Sequence, residues 1–171
     1  THNTLKDVEP KVNKKELTVH EDYDQNTPVI KGDQRILRII LQNLISNAVK
    51  YTPQEGDIGI NIFPNNQEEM VQVEVWDEGY GIPEEQQDQI FEKLFRADNI
   101  ETKDTTGTGL GLYVVKSILE KTGGDIWFES EEGEGTTFYV QIPFSGMKEQ
   151  DGSKSLAFGE VSQEEQDSFN K

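Results

Sequence analysis

Four short motifs stand in one order along this chain. They are Asn43-Leu-Ile-Ser-Asn47-Ala-Val-Lys50-Tyr51, Asp77-Glu-Gly79-Tyr-Gly81, Phe91-Glu-Lys93-Leu-Phe95-Arg96 and Gly107-Thr108-Gly109-Leu110-Gly111-Leu112. Each alone is a weak signal, and their order and spacing make a strong one. A fold that places them must bring a helix face, a strand end and a helix start to one locus.

The segments between them alternate in period. Glu16 to His20 reads as a strand with Leu17 and Val19 on one face, and Pro28-Val29-Ile30 as a second short one. Asp33 is placed to N-cap a helix that runs to about Tyr51, with Leu37, Ile40, Leu41, Leu44 and Ala48 at helical spacing. Pro53 and Gly56 end it. Ile58, Ile60 and Ile62 alternate, as do Val71, Val73 and Val75, with Pro64 to Glu69 as the turn between two strands. Pro83 is placed as the first residue of a short helix reaching Ile90. Residues 91 to 108 lack periodicity and read as a loop, with residues 96 to 108 expected to be mobile when no ligand is bound. A helix follows from about Gly109 to Thr122, ended by Gly123-Gly124. Ile126 and Phe128 mark a strand, and Phe138, Val140 and Ile142 mark the last.

Residues 1 to about 14 are polar and read as a lead-in or linker. From Ser145 onward apolar residues are sparse, and residues 145 to 171 read as an acidic flexible tail or linker. The ordered part between them, about residues 15 to 144, is one domain.

The chain of 171 residues carries a formal charge of −17. That balance opposes a surface built to hold nucleic acid or anionic lipid, which needs clustered cations. A polyanionic ligand must instead be held by a few local donors, a metal ion and helix ends. There are no cysteines, so disulfides and thiolate metal sites are excluded. No signal peptide and no apolar run near the ~18 residues of a spanning helix is present. A cytoplasmic location is expected, with any inner-membrane anchor of a parent protein lying outside this chain.

At about 100° per residue, Asn43, Asn47 and Lys50 form a polar stripe beside the apolar one. A solvated helix edge is one account of them. The other is chemical: amide oxygens are hard ligands suited to magnesium, and Lys50 can meet a phosphate as a point charge. Strand alternation puts Asp77 on the core side with Val71, Val73 and Val75. A buried carboxylate needs donors. An Asx turn supplies one kind, and the amino group of adenine another. Gly79 and Gly81 allow a tight turn and close approach to a planar ring. The glycines at 107, 109 and 111 open a helix, where backbone N–H groups favour an anion, and they also serve as a hinge. The pattern lacks the lysine of a P-loop and does not follow a strand as a dinucleotide fingerprint does. Phe91 and Phe95 read as a hydrophobic anchor for the loop, whose cations Lys93, Arg96 and Lys103 can swing onto a terminal phosphate.

Together these residues resemble the catalytic and ATP-binding domain of sensor histidine kinases, within the GHKL group that also holds gyrase, the heat-shock chaperone ATPase and mismatch-repair ATPases. The resemblance covers about residues 15 to 144, including the stretches from Gly123 to Ser130 and from Gly133 to Val140. It implies an α/β two-layer sandwich: a mixed five-stranded sheet, three helices on one face, and a mobile lid over ATP. By that resemblance Asn47 binds Mg2+, Asn43 supports the metal and phosphate shell, and Lys50 and Tyr51 approach phosphates. As cations of the loop, Lys93 and Arg96 are expected to assist transfer. Asp77 reads adenine. Gly79, Gly81, Ile82, Phe91, Phe95, Gly107, Thr108, Gly109, Leu110, Gly111 and Leu112 complete the nucleotide site.

The ATPase branches of this group carry a glutamate one turn before the metal-binding asparagine, where it activates water. Here that position is Asn43, whose amide takes up no proton near pH 7. Slow hydrolysis and transfer to a histidine are therefore expected. Only His2 and His20 are present, and neither follows the family's phospho-acceptor pattern, a histidine beside an acidic residue with an Arg-Pro pair on a long helix. The acceptor histidine is expected on a dimerisation domain absent from this chain, with a response regulator receiver domain downstream. The chain alone is then expected to bind ATP without phosphorylating itself. Two other readings are an anti-sigma-type serine kinase of the same fold and a degenerate domain used for nucleotide sensing or docking.

Overall fold

A computed structural model describes residues 2–97 and 108–148 of the chain. A single five-stranded sheet of order β1-β2-β3-β5-β4 forms the floor, built from β1 (Thr18–Tyr23), β2 (Asp57–Asn65), β3 (Met70–Asp77), β4 (Asp125–Glu131) and β5 (Gly135–Pro143). Strands β1 and β2 pair in parallel, and every other neighbouring pair is antiparallel. The parallel pair needs a crossover, and α2 (Gln34–Tyr51) supplies it.

Alternation sets which face is covered. On β3, Val71, Val73, Val75 and Asp77 are buried, and on β5 Thr136, Phe138, Val140 and Ile142 face the same core. Helix α2 lays Ile40, Leu44, Ile45, Ala48 and Val49 on that face, and α3 (Gly111–Thr122) adds Val115, Ile118 and Leu119. Asp33 caps α2 as expected, its carboxylate accepting from the Arg35 N–H at 2.8 Å. Gly123 ends α3 in the left-handed conformation, at φ 85.

Three readings change. Residues expected as a lead-in form helix α1 (His2–Lys15), which lies along α2 with Val8 buried and Leu5 and Val12 against the core. Those three residues share one stripe at helical spacing, enough to seat the helix. Pro28 to Ile30 form no strand: Ile30 packs on the core, and the Lys31 carbonyl next to it accepts from the Met147 N–H at 2.9 Å. The segment after Pro83 is a 3-10 helix, Glu84–Gln89, and Pro83 stands just before it rather than at its first position. The third helix over the sheet is thus α1. The expected mobile segment lies mostly outside the described residues, as does the chain beyond residue 148.

Candidate nucleotide-binding site

A cavity of about 280 Å³ opens between α2, the start of α3 and the C-terminal end of β3. Along α2 it is lined from Asn43 to Tyr51. At one end Gly79 comes against Tyr51, so closely that a methyl carbon on Gly79 would lie 2.8 Å from the Tyr51 carbonyl oxygen. The Tyr80 N–H also donates to that carbonyl, at 3.3 Å. At the other end Gly111 comes against Asn43. Asn43 and Tyr51 are eight residues apart on one helix, roughly 12 Å at the α-helical rise. The site is therefore an elongated slot with a carboxylate at one end and a helix start at the other.

Asp77 stands at the first end. Its Oδ1 accepts from the Gly79 N–H at 2.9 Å, which is the Asx turn, and the backbone of Thr136 also bonds the carboxylate. The side chain lines the cavity as well, so the turn and the pocket-facing position coexist. Burial pushes its pKa up to about 7, against the smaller opposing effect of those backbone bonds. Two donors do not offset removal from water, and the carboxylate has capacity for a further one. Thr136 and Phe138, the β5 neighbours of Asp77 and Val75, line the same end.

The loop from Asp77 to Ile82 is held from outside. Gly81 has φ +59, and a methyl carbon there would sit 1.9 Å from the Glu131 carbonyl oxygen. The Gly133 N–H donates to Tyr80 O at 2.9 Å, and the Ile82 N–H donates to Ser130 Oγ at 2.9 Å. The β4–β5 turn thus braces the loop that carries Gly81 and Ile82 into the cavity wall.

At the other end, Asn43 donates from Nδ2 to the Ile39 carbonyl at 2.8 Å. That bond to its own helix leaves Oδ1 towards Gly111. Asn47 lines the cavity one turn on, with Ser46 between them. Back towards the Tyr51 end, Lys50 donates from Nζ to Tyr51 Oη at 2.9 Å and lies 4.5 Å from the Tyr51 ring centroid. The chain comes together again at Gly109: the Leu94 N–H donates to the Gly109 carbonyl at 3.0 Å, and Gly109 adopts φ +66 against the backbone of Leu94 and Phe95.

Of the residues singled out in the sequence, Asn43, Asn47, Lys50, Tyr51, Asp77, Gly81, Ile82, Phe95, Arg96, Thr108, Gly109, Gly111 and Leu112 line this cavity. Gly79 shapes it from behind through Asp77. Phe91 does not reach it: its ring packs edge-on to Phe128 at 5.9 Å, with the Lys116 ammonium 4.9 Å above it. This packing is that of a hydrophobic anchor. Leu110 and Lys93 are also outside the lining, and Lys93 is exposed on a turn. Gly107 and Lys103 lie outside the described residues. The sequence reading missed Lys11, Ser46, Ile90, Ala97, Thr136 and Phe138. Thr136 and Phe138 were findable, since the alternation of β5 puts both on the core face. Among the described lining residues Asp77 is the one carboxylate.

Residues 32–146 match the model of the family described as histidine kinase-, DNA gyrase B- and HSP90-like ATPases. The sensor histidine kinase WalK of Bacillus subtilis is 38% identical over 136 residues, which is 77% of this chain and 22% of WalK. A SasA adaptive-response sensory kinase of Gloeothece citriformis is 38% identical over 139 residues, 81% of this chain and 35% of its own length. The chain thus spans well under half of these curated relatives. Among solved structures, the catalytic domain of histidine kinase ThkA in a nucleotide-free form superposes with a TM-score of 0.70 at 30% identity, covering 84% of this chain and 89% of that one. The mixed sheet, the slot along α2 and these matches agree: the chain belongs to the histidine kinase-, DNA gyrase B- and HSP90-like ATPase family, among the catalytic domains of sensor histidine kinases.

Proposed function

We propose that this domain binds Mg-ATP in the slot along α2 and passes the terminal phosphate to a histidine on a dimerisation domain of the same protein. The observation that carries this is the polarity of the slot. Asp77, with room for a further donor, stands at the Tyr51 end, and the amide of Asn43 meets the start of α3 about two turns away. Adenine's amino group suits the first end. Phosphates suit the second, where the N–H groups at the start of α3 are at hand, with the cation Lys50 elsewhere in the cavity wall.

Magnesium fits the donors present. Asn43 Oδ1 and the side chain of Asn47 are hard oxygen donors on one helix face, and among the described residues no cluster of carboxylates or histidines offers a rival site. An ion held by one or two amide oxygens, phosphates and water is the usual manner of Mg2+. It would screen the phosphate charge during transfer. Among the described lining residues no carboxylate stands at the phosphate end to activate water, the one present being Asp77 at the adenine end. The terminal phosphate is thereby kept for another acceptor.

The relatives support the acceptor and the next partner. ThkA has been solved in complex with a response regulator protein, TrrA. We read a receiver domain as the downstream partner here too, with the domain working in the cytoplasm. Among the described residues no helix is long and apolar enough to cross a membrane.

The test is incubation with γ-labelled Mg-ATP, alone and with the helical phospho-acceptor domain of this protein or of WalK. Acid-labile, base-stable label on the acceptor, with little free phosphate, is expected. Fast release of free phosphate and no labelled acceptor would overturn the kinase reading in favour of a hydrolase.

A further inference from the structure

We propose that Lys11, on α1, is a further phosphate-binding residue of the nucleotide site, brought there by the way α1 is fastened along α2. This rests on the nucleotide reading above.

Helix α1 runs beside α2 in the same direction and is tied at both ends. Near its start, the Asp7 carboxylate accepts from Arg38 at 2.6 Å. At its end, the Lys15 ammonium donates to three carbonyls at the C-terminus of α2: Val49 at 3.0 Å, Lys50 at 2.8 Å and Thr52 at 2.7 Å. Lys11 is four residues from each tie, so all three share one face of α1. Between Arg38 and Val49, the stretch of α2 beside Lys11 is the one carrying Asn43, Ser46 and Asn47. Lys11 accordingly lines the cavity together with those residues.

The two ties differ from Lys11 in one respect. Asp7 and Lys15 are engaged, whereas among the described residues Lys11 forms no ion pair. Its charge is felt by Lys15, whose pKa is lowered first by burial and then by Lys11. A chain of net charge −17 has abundant carboxylates for a surface lysine. Instead this one faces an amide-lined wall at the end of the slot away from Asp77. A long flexible stem ending in a strongly hydrated cation suits a polyphosphate, whose charge lies along a chain rather than at one point. The two ties mean that this cation is present only while α1 is seated.

The test is calorimetric titration of Mg-AMPPNP into the wild-type protein, Lys11→Met, Lys11→Arg and Lys14→Met, at low and high potassium chloride. Lys14 is exposed on the same helix and outside the cavity lining, and its substitution removes the same net charge. Lys11→Met should weaken binding roughly fivefold to tenfold at low salt, the size of one partly screened charge-assisted contact. It should also flatten the salt dependence. Lys11→Arg should restore most of both, and Lys14→Met should match wild type. Equal weakening by Lys11→Met and Lys14→Met would overturn the proposal, as would wild-type affinity in Lys11→Met. No binding by the wild-type protein would instead defeat the nucleotide reading, and this proposal with it.

Discussion

Gly111, the first residue of α3, stands against the side-chain amide of Asn43 on α2: a methyl carbon on Gly111 would lie 2.5 Å from Asn43 Oδ1. The contact couples the glycine that opens a helix to the amide read as a metal and phosphate ligand. Alanine is the better helix former by up to about 1 kcal/mol. Gly111→Ala should therefore keep or slightly raise the thermal midpoint, yet weaken Mg-nucleotide binding about tenfold by displacing Asn43, some 1.4 kcal/mol. Calorimetry alongside a thermal melt checks both. Unchanged affinity would show that Asn43 Oδ1 has no part in binding.

Gly81 is constrained differently, by its backbone. At φ +59, with the Glu131 carbonyl oxygen 1.9 Å from any added methyl, a side chain needs both an unfavourable conformation and a shift of the β4–β5 turn. Gly81→Ala should cost about 2 kcal/mol or more in urea unfolding. A change within about 0.5 kcal/mol, the scale of an ordinary surface substitution, would contradict the bracing described for this loop.

Asp77 makes stability depend on pH. Its carboxyl holds a proton up to about pH 7 in the folded domain, whereas in the unfolded chain it releases it near the ordinary value of 3.8. Between those values the folded state binds the extra proton, so stability falls as pH rises from about 4 to 7 and levels off above. The slope from this one group is at most about 1.4 kcal/mol per pH unit. Asp77→Asn should remove it, which a comparison of urea midpoints for the two proteins from acid to neutral pH measures. Parallel curves would mean that Asp77 is ionised throughout. An amino donor from adenine favours the ionised form. Mg-ADP binding at slightly acid pH should thus release a proton in wild type that Asp77→Asn does not release, read by calorimetry in two buffers of different ionisation heat.

Lys15 caps α2 from another helix, satisfying carbonyls that the end of α2 leaves without intrahelical partners. Lys15→Met keeps much of the stem's packing and removes the ammonium. It should lower stability by about 1–2 kcal/mol, the range for charge-assisted bonds in a half-buried place. Denaturant titration checks this, and no loss would mean that α1 is held by Val8, its apolar neighbours and the Asp7–Arg38 pair without help from Lys15.

Much of the sheet and both major helices were legible because local rules there agree with burial. The alternation of Val71, Val73 and Val75 continues to Asp77 and predicts its burial, and Asp33 marks the start of α2. Helix α1 was not legible. Its apolar stripe is three residues wide among charges, Pro10 stands inside it, and its seating depends on ties to Arg38 and to the end of α2 that no local window contains. Pro28 to Ile30 misled for the opposite reason: β-branched residues are present, but the next residue, Lys31, pairs its carbonyl with the Met147 loop rather than with a strand. The candidate site followed the same division. Residues inside the four motifs were visible as motifs, while Lys11 became visible only once α1 lay along α2. Phe91 belongs to a motif and still serves the core, packed on Phe128.

Calorimetric titration of Mg-ADP into the wild-type protein beside Asp77→Ala tests the central claim most directly. Saturable binding by the wild type, lost or weakened by at least about a hundredfold in the variant, is predicted, since a desolvated charged partner to adenine contributes on the order of 3 kcal/mol. Equal binding by both would mean that adenine does not lie at the Asp77 end of the slot, and no binding by the folded wild-type domain would contradict the nucleotide site itself.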